Sequence, residues 1–288
     1  MFPIQCFFPA RLRPPPRLAA ALALAIAAAS FARPVLAQPA AGVDLALSED
    51  WVWRGILRAS SWTVQPGVWG RWDFGPHSIA AGGWAGVELG RIEEREVTTA
   101  GRRGSRVGEV DAWAQATARI HTLDAGVGAI RYRFRGSAAN GGRGPGESTT
   151  EIYLLLQPLP GELPVDLKGT LFCDVDRVRG TYLEATASKT LTLIPEPGNH
   201  LLSLLLSATA GYDFSQDGPR GNFDRVGVTH VDLAAGITPQ VLGSFAVIHH
   251  QRSIDPATRR SGAGRSADHR TWVEIGFGHA WGHRRRAR

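Results

Sequence analysis

Apolar side chains recur at every second position over most of this chain. Val43, Leu45 and Leu47 alternate with Asp44, Ala46, Ser48 and Asp50. That is the period of a β-strand with one greasy and one wet face. The run 64–74 repeats it, setting Val64, Pro66, Val68, Gly70, Trp72 and Phe74 against Gln65, Gly67, Trp69, Arg71 and Asp73. Gly75-Pro76 then punctuates the chain, and a third run covers 78–88. Each run has about the ten residues that a tilted strand needs to cross a bilayer.

The same plan continues to the end of the chain. Alternating runs fall at 109–119, 125–134, 149–157, 165–176, 181–193, 201–214, 225–237, 241–250 and 270–281. The spacing predicts twelve strands. Connections after the even strands are short (75–76, 121–124, 158–164, 194–200 and 238–240), and those after the odd strands are mostly long. An even strand count with short turns at one end and long loops at the other predicts an all-β fold, an antiparallel transmembrane β-barrel.

The aromatic residues sort to the strand ends in this reading. Trp51, Trp53, Trp62, Tyr132, Phe134, Tyr212, Phe214 and Trp272 fall near the loop rim, and Trp72, Phe74 and Trp281 near the turn rim. Two girdles flanking an apolar band are expected of a barrel in lipid. A water-soluble barrel or sandwich is the competing reading, and it gives no reason for tryptophans at both ends.

Residues 1–37 read as a separate segment. Arg11, Arg13 and Arg17 precede an alanine- and leucine-rich run, and Val35-Leu36-Ala37 suits a signal peptidase, predicting cleavage before Gln38. An uncleaved anchor is the alternative, but the apolar run is short for a spanning helix. The barrel domain is expected over 38–288, with a basic tail at 282–288. Such a chain is expected in the outer membrane of a Gram-negative bacterium.

The net charge of +6 belongs to the two ends of the chain. Arg11, Arg13, Arg17 and Arg33 lie before the barrel, and Arg284, Arg285, Arg286 and Arg288 in the tail. Removing these eight from the 32 basic residues leaves 24 against 26 acidic ones. A nearly neutral body argues against nucleic acid as a partner. The expected partners are outer-membrane lipid, small solutes or ions, and the barrel-assembly machinery. Cys173 is the only cysteine after residue 37, which excludes an internal disulfide there.

The opening stretch carries a family resemblance. SEDWVWRG (48–55), Gln65-Pro66 in the second strand and the later GGWAGVELG resemble the TorF family of porins. GEVDAWAQ (108–115), Thr150-Glu151-Ile152-Tyr153 and Gly180-Thr181-Tyr182-Leu183-Glu184 fall in the order of that family. The resemblance implies an outer-membrane barrel acting as a pore, with no catalytic residues to carry over. The arginine-rich tail after Trp281 departs from the family's pattern.

Two kinds of chemistry remain to be placed. His249, His250, Asp255, Ser261, Ser266, Asp268 and His269 cluster near the loop ends of the last two strands. Hydrolytic or metal chemistry is conceivable there, but no spacing is diagnostic. The glycine-rich stretch GSAANGGRGPGES lacks the Gly-Lys-Ser/Thr ending of a phosphate cradle. No catalytic residue, cofactor or metal is therefore expected.

The polar faces are more informative. If they point inward, the lumen receives Asp44, Asp50, Asp73, Glu88, Glu109, Asp111, Glu151, Asp166, Asp174, Asp176, Glu184, Asp213, Asp232 and Glu274. Arg54, Arg71, Arg119, Arg131, Arg133, Lys168 and Arg225 stand against them. Charges this numerous must be wet or paired. Twelve strands enclose more room than the eight whose side chains fill a barrel. The expectation is a narrow channel for passive diffusion with a weak cation preference, to which Asp111 and Asp174 contribute. The alternatives are a barrel hydrolase and a closed structural or adhesive barrel.

Overall fold

Twelve alternating strands close on themselves. The computed structural model describes residues 38–282 except 60, 90–106, 135–147, 197–198, 217–221, 240–242 and 260–267. The predicted leader and the basic tail beyond Gly282 lie outside the described residues.

The chain contains β1 (Gln38–Ser48), β2 (Trp51–Trp53), β3 (Ile56–Ala59), β4 (Thr63–Phe74), β5 (His77–Glu88), β6 (Val107–Ile120) and β7 (Leu123–Phe134). After these come β8 (Ser148–Pro158), β9 (Asp166–Asp174), β10 (Thr181–Glu196), β11 (Asn199–Asp213), β12 (Gly227–Pro239), β13 (Ser244–Ser253) and β14 (His269–Gly282). A single helical turn, α1 (Pro256–Arg259), sits between the last two strands. Antiparallel neighbours run in sequence from β4 to β14, and β1 closes the barrel between β14 and β4. Strands β2 and β3 pair only with each other.

Period-two sequence fixes the two faces, and register carries them around the wall. Ser48 pairs with Thr63 on one side and Glu274 on the other, and Asp44 with Gly67 and Gly278. Followed from strand to strand, these rows place Gln65, Trp84, Asp111, Glu151, Glu184, Asp232, His249 and Glu274 on the inner face. The opposite face carries Leu45, Val68, Ile79, Leu154, Leu171, Leu206, Leu233, Ile248, Ile275 and Phe277, all exposed. An outer surface this apolar, around a polar interior, is the transmembrane β-barrel arrangement, with lipid replacing a protein core.

One pair of strand faces departs from expectation. Arg131 and Arg133 point outward, and Tyr132 and Phe134 inward, each 3% exposed. Register makes this unavoidable, because Asp111 pairs with Tyr132 and Glu109 with Phe134. Arg131 binds Thr150, Ser148 and Asp176 on the outside of the wall. Both arginines therefore leave the expected set of lumen residues. The two rings are needed inside, where they pack against the structure described next.

Candidate functional site: a hairpin folded into the lumen

The connection between β1 and β4 turns inward. β2 and β3 form a hairpin whose two-residue turn is Arg54-Gly55, with φ of 49° and 77°. Two consecutive positive φ angles define the tight turn whose twist matches antiparallel strands. Glycine adopts this geometry freely; for arginine the left-handed region costs about 1–2 kcal/mol. Local preference does not hold Arg54 there, so its contacts must.

Those contacts reach across the barrel. The Arg54 guanidinium donates from Nη1 to Glu151 Oε1 at 2.7 Å and from Nη2 to Oε2 at 2.5 Å, a two-pronged pair with both side chains buried. Tyr132 donates its hydroxyl to the same carboxylate at 3.0 Å. The guanidinium also lies 4.2 Å from the ring centroid of Phe172, 4.5 Å from Trp53 and 4.7 Å from Tyr182. Burial pulls the Arg54 pKa down, but the facing Glu151 carboxylate together with Tyr132 and Tyr182 outweighs it and the net shift is upward. This cation is permanent.

The backbone of the turn is held from the other wall. Gln251 on β13 donates Nε2 to the Gly55 carbonyl at 2.8 Å, and to Ser253 Oγ at 2.9 Å. A Cβ on Gly55 would lie 2.5 Å from His230 Cγ on β12, so only glycine seats the turn against that ring. Gly211 plays the same part for Tyr182, whose hydroxyl occupies the space a Cβ would take.

The second arginine of the hairpin stabilises its flank. Arg58, 4% exposed, lies 4.5 Å from Trp53 and 5.1 Å from Phe134 by ring centroid. Burial depresses its pKa, and the nearby Glu109 carboxylate opposes that shift. Trp51 packs on Trp84 with centroids 5.5 Å apart. From above, Phe223 and Ala257 join Tyr182 in a small buried cluster flanked by Ile56 and Phe172. Asp255 ties this lid together, accepting from the backbone N–H of Ala257, Asp224 and Arg225.

Trp51, Trp53 and Trp272 therefore do not belong to an aromatic girdle. Trp51 is 4% exposed and Trp272 6%, both inside the barrel. Trp53 lies against the guanidinium groups of Arg54 and Arg58, and Trp272 stacks on the His249 ring. Trp62, Trp72 and Trp281 are exposed, and Phe74 shares the outward face of β4 with Trp72.

Among the expected lumen residues, Arg54, Glu109, Asp111 and Glu151 converge on the hairpin. Asp50, Glu184 and Asp232 lie along a chamber beneath it. Arg71 and Lys168 lie on inward rows nearer the turn end, where Arg71 pairs with Asp73. Asp174 has a structural task. Its Oδ1 accepts from the backbone N–H of Asp176, Arg177, Val178 and Arg179, and its Oδ2 from Thr149, shaping the β9–β10 connection. Asp176 pairs outside with Arg131, and Arg225 is exposed in a loop.

The histidine cluster separates. His249 points inward, bonds Asp232 at 3.0 Å and stacks on Trp272. His250 points outward, bonds Thr271 and stacks on His269. Ser261 and Ser266 lie outside the described residues. Among those described, no three His, Cys, Asp or Glu side chains form a metal-sized group.

The chamber itself measures about 400 Å³. Its roof is the hairpin face from Trp51 to Gly55, and its walls include Trp84, Asp111, Tyr132, Glu184, His230, Asp232, His249, Trp272 and Glu274. Asp50 stands at the edge, 3.8 Å from Arg270; burial raises its pKa and Arg270 opposes the rise. Arg58, Gln251 and His230 take positions at the hairpin or the chamber that the aromatic and charge patterns did not assign, and Trp272 lines the chamber instead of a girdle.

No protein-family model matches the chain, and no curated protein matches it. Similar solved structures include the CymD monoaromatic hydrocarbon channel, at 10% identity and a TM-score of 0.41 over 87% of this chain and 89% of that one. Another is the anion-selective porin from Comamonas acidovorans, at 10% identity and a TM-score of 0.36 over 85% and 98%. A third is OmpT, an outer membrane protein of Vibrio cholerae, at 9% identity and 0.34 over 85% and 99%. With identities this low, the function has to be read from the lumen itself.

Proposed function

We propose that the chain is an outer-membrane channel of a Gram-negative bacterium that passes small solutes or ions, with the β2–β3 hairpin as its constriction. The observation that carries this reading is the hairpin's bracing. A barrel this wide is narrowed by a separate element pinned to opposite walls, while a chamber is left beneath it. A barrel serving only as a scaffold has no use for such an eyelet. The resemblance of the opening stretch to the TorF family points the same way.

A weak cation preference belongs to the same proposal. Asp50, Glu184, Asp232 and Glu274 line the chamber, and among its basic neighbours Arg54 is engaged with Glu151, His249 with Asp232 and Arg270 with Asp50. In a low-dielectric passage such an excess concentrates counter-ions. The test is ion conductance and reversal potential of the refolded protein in a planar bilayer across a salt gradient. Conduction with a cation-selective reversal potential, stronger at low salt because screening weakens, supports the proposal. An absence of conduction favours a closed barrel, and anion selectivity overturns the preference.

A further inference from the structure

We propose that the chamber beneath the hairpin is a binding site for small organic ammonium ions that carry an apolar body. This deepens the channel reading by naming a solute class, and rests on it in that solutes must enter the lumen to meet the site.

Two independent features of the chamber favour such a ligand. The first is its aromatic lining. Trp51, Trp53, Trp84, Tyr132 and Trp272 come from four different strands and meet around one space. Trp51 and Trp84 face each other at 5.5 Å, and Trp272 is stacked on His249 at 4.7 Å. Ring faces attract cations, best where water is excluded. An aromatic-lined hollow holds the apolar part of a ligand and stabilises a positive head at the same time.

The second feature is an excess of acceptors. Glu184 and Glu274 make no salt bridge among the described residues, and Asp232 has only His249 as a partner. Within the same lining, Asp232 Oδ1 and Gln251 Oε1 are buried without a hydrogen-bond partner. Gln251 is 1% exposed, so bulk water does not replace the missing donor there. A buried acceptor left unsatisfied costs free energy. The unpartnered atoms of the lining itself are all acceptors; the unpartnered donors nearby, on Arg58 and Arg270, belong to side chains outside the lining.

An ammonium head supplies three donors and one positive charge, and charge-assisted bonds to carboxylates are the strong ones. An anion would meet Glu184, Asp232 and Glu274, and a neutral sugar, whose hydroxyls can donate, would bring no positive charge to offset those carboxylates. The chamber volume of about 400 Å³ admits a molecule of one ring or a short chain.

Three probes with one body and different heads decide the matter: benzylammonium, benzyl alcohol and benzoate. Binding is read from intrinsic tryptophan fluorescence of the refolded protein in detergent, since four tryptophans line the chamber. Benzylammonium is expected to bind saturably, with benzyl alcohol and benzoate weaker by roughly tenfold or more. The double substitution Asp232→Asn with Glu274→Gln is expected to weaken benzylammonium by about the same factor, and Asp73→Asn near the turn end to leave it unchanged. Heat-modifiable gel mobility confirms that each variant is folded. If the double variant does not fold, the head-group series on the unaltered protein still decides.

Equal binding of benzyl alcohol, absence of saturation, or unchanged affinity in the folded double variant overturns the site. Binding in detergent without conductance in a bilayer overturns the channel reading and keeps the site. Conductance without saturable binding does the reverse.

Discussion

The two faces of the β2–β3 hairpin are built on opposite principles. Toward β7–β10 the arginine of the turn has its complements: Arg54 has Glu151, Glu151 has Tyr132, and the guanidinium plane is enclosed by three rings. Toward β12–β14 the wall offers carboxylates and rings around a space. The contrast separates fixing from function. A buried ion pair is retained only where its desolvation is repaid by geometry, and here it locates an element that carries a strained turn. The open face leaves its acceptors turned toward the chamber.

The largest expected effect is on the packed face. Glu151→Ala leaves Arg54 buried and unpaired, and removing one partner of such a pair costs about 3–5 kcal/mol. Urea unfolding in detergent should show that loss, and the freed hairpin should raise single-channel conductance. A stability change below about 1 kcal/mol would mean that Glu151 does not hold the hairpin.

Next comes the outer surface, as a check that the walls face where register puts them. Leu204→Arg, on the lipid side of β11, should cost about 2–4 kcal/mol on folding into lipid vesicles. Thr186→Arg, on the inner row of β10 beside Thr209, should cost much less. Similar costs at both positions would invert the assigned faces.

Smaller again is Gly55→Ala. It forces a side chain into the left-handed region and against His230, for about 1–3 kcal/mol, measured as a drop in the temperature at which gel mobility shifts. The smallest stability effect belongs to the open face. Glu274→Gln should change stability by no more than about 0.5 kcal/mol and still reduce cation preference in reversal-potential measurements. If it destabilised the barrel as Glu151→Ala does, the two faces would not differ in kind.

How much of this was legible in the sequence follows from what period two can encode. Strands such as 109–119 announced both their existence and their partition into two faces. Alternation does not say which face is inward, and the aromatic residues were given the lipid side. That assignment fails at β7, where Tyr132 and Phe134 pack around the hairpin and Arg131 and Arg133 take the outside. At β14 the information was present: Trp272 shares its alternation with Arg270 and Glu274, so it had to be inward with them. The hairpin itself was hidden. Its strands are three and four residues long, and Trp51 and Trp53 at the end of β1 look like girdle residues. An arginine followed by glycine inside an aromatic run was the one local sign of a turn needing outside support.

The most direct measurement is single-channel conductance of the refolded protein beside a variant in which residues 51–59 are replaced by a short Gly-Ser linker. A hairpin that constricts an otherwise water-filled barrel gives a small conductance in the unaltered protein and a several-fold larger one in the variant, with both showing heat-modifiable mobility. Equal conductance in the two would contradict the hairpin as constriction, and no conductance in either would contradict a channel.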